Sequence, residues 1–245
     1  MGDSRSKMYP LMGSPIPFLC VIIFYVVFNF KVGPAMMSKR EPFKIKKFIM
    51  SYNLLQIIFN ITGIVFGIRL YSKVSLLCTP LDLSTDSPYV LVHYLYLGLK
   101  LFDLLDTVIF VLKKNHERIT FLHIYHHVLM AVGSWATFIF IPGGQLFFLG
   151  FPNCIVHTVM YIYYFLISWN PKYKEMVWWK KHLTQLQIIQ HCFIFTSFCI
   201  PLLNQNCTYP KLVLALFLPG GILMIFLFVH FYIKTYVKKS PSKKE

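Results

Sequence analysis

Acidic residues are scarce in this chain. Among 245 residues there are 9 Asp and Glu against 24 Lys and Arg, and charged side chains make up only 13%. A soluble domain carries about 25%, so the deficit excludes an ordinary soluble globular protein. Other devices are missing too. There is no glycine-rich phosphate loop, no dinucleotide fingerprint and no Ser–His–Asp order. The six cysteines, Cys20, Cys78, Cys154, Cys192, Cys199 and Cys207, show no CxxC metal spacing. No internal repeat or low-complexity segment interrupts the chain. Met1 to Ser14 is largely polar and lacks the pattern of a cleavable signal peptide. The length fits one helical bundle and leaves no room for a separate soluble domain.

What is abundant is apolar surface. Hydrophobic residues make up 56% and aromatics 18%. Apolar runs near the length needed to cross a bilayer recur throughout. Only helices or closed barrels satisfy every backbone group in lipid. The expectation is an all-α polytopic membrane protein, a single domain over residues 1–245. Seven transmembrane helices are expected at about 17–32, 48–70, 89–112, 119–141, 145–168, 182–203 and 212–236. Pro142-Gly143-Gly144 reads as a tight turn without charge, and Gly220-Gly221 as an interruption that allows a bend in the last span.

Charge sets the orientation. Eighteen of the 24 basic residues fall in the loops after spans one, three and five and in the region from Lys234 onward. Basic loops stay cytosolic, so the N-terminus is expected on the lumenal side and the C-terminus in the cytosol. The net charge of +15 then reflects topology and membrane lipids, with no nucleic acid partner. Cys78 and Cys207 both fall on the lumenal side, where a disulfide between them is expected. Asn206-Cys207-Thr208 is an acceptor pattern for N-glycosylation in the same region. Asn60-Ile61-Thr62 matches as well but lies within span two, as a chance hit.

Against this background the buried polar residues stand out, because ionisable groups inside a membrane are expensive and mark function by default. His123, His126 and His127 share one face of span four at i, i+3 and i+4. Lys100, Asp103, Asp106 and Thr107 share a face of span three. Asn153 and His157 are one turn apart in span five, followed by Tyr161 and Tyr164. Thr184, Gln187 and Gln190 repeat every third residue in span six. At 1.5 Å per residue, Asp106 lies about 9 Å, His126 about 10 Å, His157 about 18 Å and Gln187 and Gln190 about 8 to 12 Å from the cytosolic ends of their helices. Four clusters that agree in depth point to one cytosol-facing cavity. Any of Thr107, Asn153, Thr184 or Gln190 taken alone also fits a helix-bridging role, and Lys100–Asp103 fits an orienting ion pair. His93, His116, His182 and His230 lie outside the cluster, and His191 neighbours Gln190.

Neutral imidazole is a base and a nucleophile near pH 7 and can carry an acyl group. Two other readings stay open on the residues alone. HxxHH also resembles one box of a membrane di-iron desaturase or hydroxylase, although four core histidines are few for two metals. A polar-lined lipid transporter is the non-enzymatic alternative.

The chain resembles the ELO family, the membrane very-long-chain fatty acid elongases. Tyr9-Pro10-Leu11-Met12, Ser14-Pro15, Gly33-Pro34 to Met37, Arg40, Pro42-Phe43 and Tyr52-Asn53 resemble the family's first span and first cytosolic loop. Lys100 to Thr107 resembles its K-x-x-E-x-x-D-T motif, with Asp103 where glutamate is usual. His123 to His127 is its HxxHH box. Asn153 to Tyr164 matches N-x-x-x-H-x-x-M-Y-x-Y-Y, and Thr184, Gln187 and Gln190 match T-x-x-Q-x-x-Q. The resemblance implies a seven-span protein of the endoplasmic reticulum. It implies a 3-oxoacyl-CoA synthase that joins long-chain acyl-CoA and malonyl-CoA with release of CoA and carbon dioxide. No metal or organic cofactor is required by it. Ketoacyl-CoA reductase, hydroxyacyl-CoA dehydratase and enoyl-CoA reductase are the implied partners, and a homodimer is an assembly to test. Lys243-Lys244-Glu245 resembles a dilysine retrieval signal.

Roles follow as expectations. His126 takes the acyl group, His157 assists as base, and His123 and His127 flank the centre. Asp106 holds a histidine ring with Asp103 behind it. Gln187, Gln190 and Asn153 donate to carbonyl or oxyanion oxygens, with Lys100, Thr107, Tyr161 and Thr184 in support. His93, Leu146 and Ile194 mark the closed end, where chain length would be read.

Overall fold

The computed structural model describes residues 2–238; the retrieval-like Lys243-Lys244-Glu245 lies outside them. Among the described residues every regular element is helical. Eight helices are α1 (Ile16–Met37), α2 (Lys46–Tyr71), α3 (Pro88–Asp103), α4 (Leu105–Leu112), α5 (Phe121–Phe140), α6 (Gly144–Trp169), α7 (Val177–Leu203) and α8 (Lys211–Val237).

Five of them, α1, α2, α6, α7 and α8, are long and apolar enough to cross a membrane. Their outward faces carry large apolar side chains such as Ile23, Phe24, Ile58, Ile68, Ile189, Leu216 and Phe226, all exposed. In water each would forgo roughly 1.5–3 kcal/mol of burial, whereas a hydrocarbon surround removes that penalty. The protein is therefore a multi-pass membrane protein. The two remaining stretches fall short for physical reasons. The third expected span is divided between α3 and α4, and α5 carries three imidazoles in its first two turns.

Helix bounds move in two places, and one expected interruption is absent. The expected end of α1 near residue 32 is a five-residue π-helical turn, Phe28–Val32, after which the helix continues to Met37. A widened turn before Pro34 relieves the clash of its ring with the preceding turn. Gly33 is needed there, because a Cβ would come within 2.6 Å of Val111 Cγ1 on α4. Helix α7 begins at Val177 instead of residue 182, since Lys180 and Lys181 extend to the polar end of the helix instead of forming a loop. Gly220-Gly221 does not interrupt α8, which runs unbroken through Pro219.

The packing closes on itself. Helix α2 packs along α6 and against α3, α3 against α5, α5 against α8, α8 against α7, and α7 against α6. Six helical walls thus form a ring, and α1 lies outside it against α4. Close approach of α2 to α6 depends on Gly67, where a Cβ would lie 2.1 Å from Phe151 Cδ2.

One end of the ring is tied shut. Cys78 and Cys207 are disulfide-bonded, with Cα atoms 5.4 Å apart and a separation of 129 positions in sequence. Gln145, fully buried, accepts from the Thr79 amide at 2.8 Å and donates to the Ser197 carbonyl at 2.8 Å. The expected turn after α5 is present, with Gly143 and Gly144 at φ 95° and 62°. Side chains there would strike Tyr89 and Tyr209. The N-terminal segment completes this end. Arg5 pairs with Asp3 at 2.7 Å and donates to the carbonyls of Asp82 and Ser84 at 2.8 and 2.6 Å. Asn206 is exposed in the adjoining loop.

Candidate functional site

The polar site begins with α2, which is inside-out. Its buried face carries Tyr52, Asn53, Gln56 and Asn60, while Leu54, Leu55, Ile58 and Ile61 face outward. Gln56, fully buried, donates to Asp103 Oδ1 at 2.9 Å and to the Tyr52 hydroxyl at 2.8 Å. Tyr52 in turn donates to the Phe102 carbonyl at 3.3 Å. That carbonyl sits one residue before α3 ends, so the hydroxyl occupies backbone hydrogen-bonding capacity at the α3–α4 break. Asn60, fully buried, donates to the Gln56 carbonyl at 2.8 Å, which bears out the reading of Asn60-Ile61-Thr62 as a chance pattern.

Across the break, Lys100, Asp103, Asp106 and Thr107 all point inward and are buried. Lys100 Nζ donates to Asp103 Oδ2 at 2.7 Å and to Asn153 Oδ1 at 2.8 Å. Lys100 and Asp103 are only 1% and 2% exposed, so the ion pair has no solvent and relies on added donors. Tyr96 supplies one to Asn153 at 3.1 Å, and its ring lies 5.0 Å from the ammonium. Tyr161 donates to Asp106 Oδ2 at 2.8 Å.

The histidines converge as expected, with His126 at their centre. Its ring lies 5.6 Å from His127, 6.2 Å from His157 and 6.3 Å from His191. His123 and His127 are 4.2 Å apart. His157 Nδ1 is 3.7 Å from Asp103 Oδ2 and lacks a hydrogen-bond partner. Thr107 Oγ1 lies 2.8 Å from both His123 Nε2 and the Tyr25 hydroxyl.

Two expectations need correction. Asp106 does not hold an imidazole; it accepts from Tyr161 at 2.8 Å, and Asp103, one turn earlier, is the carboxylate beside His157, which is itself one turn before Tyr161 on α6. Thr184 donates to the Lys180 carbonyl of its own helix, and the Gln187 amide meets Met160 Sδ at 3.8 Å. Of the α7 triplet, Gln190 alone reaches the cavity described next. Tyr25, Tyr52, Gln56 and Tyr96 were missed. A 52–56–60 polar stripe at helical spacing was the available signal for the α2 residues.

Enclosed by the ring is a cavity of about 810 Å³. Asn153, Gln190 and His191 line its polar end; Tyr89, Ile141 and Leu146 line the tied end. Between them Phe59, Leu99, Met130, Phe195 and Phe217 make an apolar wall. His93, Leu146 and Ile194 all line it.

The sequence profile of the ELO family, described as GNS1/SUR4, matches residues 10–244. The chain belongs to the ELO family. This family member is 33% identical to "Very long chain fatty acid elongase 7" of Drosophila melanogaster over 254 residues, covering 99% of this chain and 75% of the relative. It is 35% identical to "Very long chain fatty acid elongase 1" of Mus musculus over 247 residues, covering 96% and 87%. With "Very long chain fatty acid elongase 4" of Homo sapiens it shares 34% over 248 residues, covering 99% and 78%. The ELO chain is an enzyme of fatty acid elongation, and the iron oxygenase and transporter readings are not favoured.

Proposed function

We propose that this ELO protein is the condensing enzyme of the elongation cycle. It joins a long-chain acyl-CoA to malonyl-CoA and yields 3-oxoacyl-CoA, CoA and carbon dioxide. One observation carries the reading: a buried Lys–Asp–Asn network reaches one end of an apolar cavity large enough for an alkyl chain through Asn153, and His191 at that same end lies 6.3 Å from His126, the centre of the imidazole cluster just outside the lining.

His126 is the acyl acceptor. Its lone pair attacks the thioester carbonyl carbon and the carbon–sulfur bond breaks. The imidazole N–H proton leaves with the thiolate, so free CoA departs and a neutral acyl-imidazole remains. Malonyl-CoA then loses carbon dioxide. The electron pair of the broken bond attacks the acyl carbon, and the imidazole leaves and takes up one proton from solvent, the proton that the overall condensation consumes. His157 faces Asp103 through Nδ1, which favours a proton on that nitrogen and a free lone pair on Nε2. His157 is thereby suited to serve the malonyl step. Contacts of 3.7 Å tighten when substrate fills such a site. His123 and His127 flank the centre, with His123 oriented by Thr107. Gln190 and Asn153 face the bound chain as amide groups, Asp106 and Tyr161 brace Asp103, and Thr184 and Gln187 support α7. The narrow apolar cavity shields the acyl-imidazole from water. No metal or organic cofactor takes part in any step.

Seven spans follow if α3 and α4 together cross the membrane and α5 crosses as the fourth span. The basic helix ends then face the cytosol and receive the CoA phosphates. The disulfide end then faces the lumen of the endoplasmic reticulum. The 3-oxo product requires reduction, dehydration and a second reduction by partner enzymes, and homodimerisation is a separate question of assembly. Purified protein in vesicles, given long-chain acyl-CoA and carbon-labelled malonyl-CoA, should form labelled 3-oxoacyl-CoA. His126→Ala and His157→Ala should lower the rate by at least ~100-fold. Full activity in both variants would overturn the assignment.

A further inference from the structure

Helix α1 lies outside the ring, yet its Tyr25 is only 3% exposed. Tyr25 shares a buried cluster with Leu104 at the α3–α4 break and Ala131 on α5, and Ile124 and Val128 pack against that cluster. The phenol carried into this seam meets Thr107 Oγ1 at 2.8 Å, and Thr107 Oγ1 meets His123 Nε2 at 2.8 Å. Thr107 is fully buried. Five other helical threonines, Thr62, Thr137, Thr158, Thr184 and Thr196, donate to the carbonyl four residues back, a common use of a hydroxyl inside a helix. Thr107 makes no such bond among the described residues. The residue four back is Asp103, where α3 ends.

Counting protons gives the chain a direction. Each hydroxyl has one proton to give and lone pairs with which to accept. Among the described residues the Tyr25 hydroxyl meets Thr107 alone, so the phenol donates and Thr107 accepts. The Thr107 proton then goes to His123 Nε2. Nε2 accepts only when it carries no hydrogen, so neutral His123 has its hydrogen on Nδ1. The opposite direction, from His123 through Thr107 to Tyr25, would strand the phenol proton in a buried seam, at a desolvation cost.

We propose that Tyr25 is a positioning residue for His123: through Thr107 it fixes the imidazole in the Nδ1–H tautomer. His123 then enters the condensation as a hydrogen-bond donor, with its lone pair already engaged by Thr107. The kinetic part of this inference rests on the condensing function; the tautomer does not. Without the phenol, Thr107 is free to turn its proton to the Asp103 carbonyl and accept from His123 Nε2–H, so both tautomers become open.

The tautomer is read directly by solid-state NMR on the full chain, carrying isotope-labelled histidine and held in lipid nanodiscs. The His123 signals are assigned by their loss in His123→Asn. The parent should show Nδ1 protonated and Nε2 bare. Tyr25→Phe and Thr107→Val should each show both tautomers, while Thr107→Ser keeps the parent's and controls for folding. In turnover, Tyr25→Phe should lower kcat roughly fivefold and leave KM for acyl-CoA within about twofold. A parent with Nε2 protonated overturns the relay, as does a single parental tautomer that survives in Tyr25→Phe. Parental kcat in a Tyr25→Phe protein that has lost the tautomer overturns the role in catalysis. Absence of condensation in a parent that shows the Nδ1–H tautomer would refute the proposed function alone.

Discussion

Breaking the Lys100–Asp103 pair is the sharpest test of the buried network. The two groups are 2.7 Å apart and 1% and 2% exposed. Lys100→Met leaves the Asp103 carboxylate with the neutral donor Gln56 at 2.9 Å, because the single Tyr161 proton is on Asp106 at 2.8 Å. Asp103→Leu leaves an ammonium held by Asn153 alone among oxygen acceptors. An uncompensated buried charge costs about 3–5 kcal/mol. For a chain of this size that corresponds to roughly 6–20 °C in apparent Tm. The double variant removes both charges and should lose less than the sum, by about 2–3 kcal/mol of coupling. Retention of folded protein on size-exclusion chromatography after graded heating measures all four members of the cycle. Single variants within ~2 °C of the parent, or strict additivity in the double variant, would refute the reasoning.

Three further outcomes follow from other parts of the molecule. Gln56→Leu should keep the fold but lower condensation roughly 10- to 100-fold, because Asp103 loses its 2.9 Å donor and its position beside His157; parental rates would contradict this. Cys78→Ser opens a cross-link spanning 129 residues and should cost about 2–5 kcal/mol, seen as a lower apparent Tm than the oxidised parent. The N-terminal latch should respond to acid. The Arg5 guanidinium beside Asp3 and the Ser84 hydroxyl on Asp82 hold both carboxyls below their usual range. A depressed folded-state pKa gives stability that is present above the unfolded value near 4 and lost as pH falls through the folded value. Protease cleavage in residues 2–12 should therefore rise below about pH 4 and stay constant from neutral pH down to about 5. A rise at neutral pH would contradict it.

Much of this architecture was legible in the sequence because membrane physics simplifies the code. Apolar length gave the helices, and the expectation that Cys78 and Cys207 share one side of the membrane anticipated their bond. The histidine cluster was legible because i, i+3, i+4 spacing fixes a face. What escaped was set by contacts between helices. The α3–α4 break depends on Tyr52 meeting the Phe102 carbonyl, a partner 50 residues away in sequence. The need for glycine at position 33, where α1 passes α4, is set by Val111. Asp103 and Asp106 are one turn apart and chemically alike, so only their register along α6, where His157 and Tyr161 are also one turn apart, separates the carboxylate beside His157 from the one bound to Tyr161. Gln56 lay in a helix whose polar stripe is as plausible for packing as for a site.

The central claim is that His126 carries the acyl group. Purified protein is incubated with long-chain acyl-CoA and no malonyl-CoA, and its intact mass is recorded beside that of His126→Ala. The account predicts an added acyl mass on the parent that is absent from the variant. Malonyl-CoA should discharge it to 3-oxoacyl-CoA. Normal product formation with no adduct at any time, or an adduct that persists in His126→Ala, would contradict it.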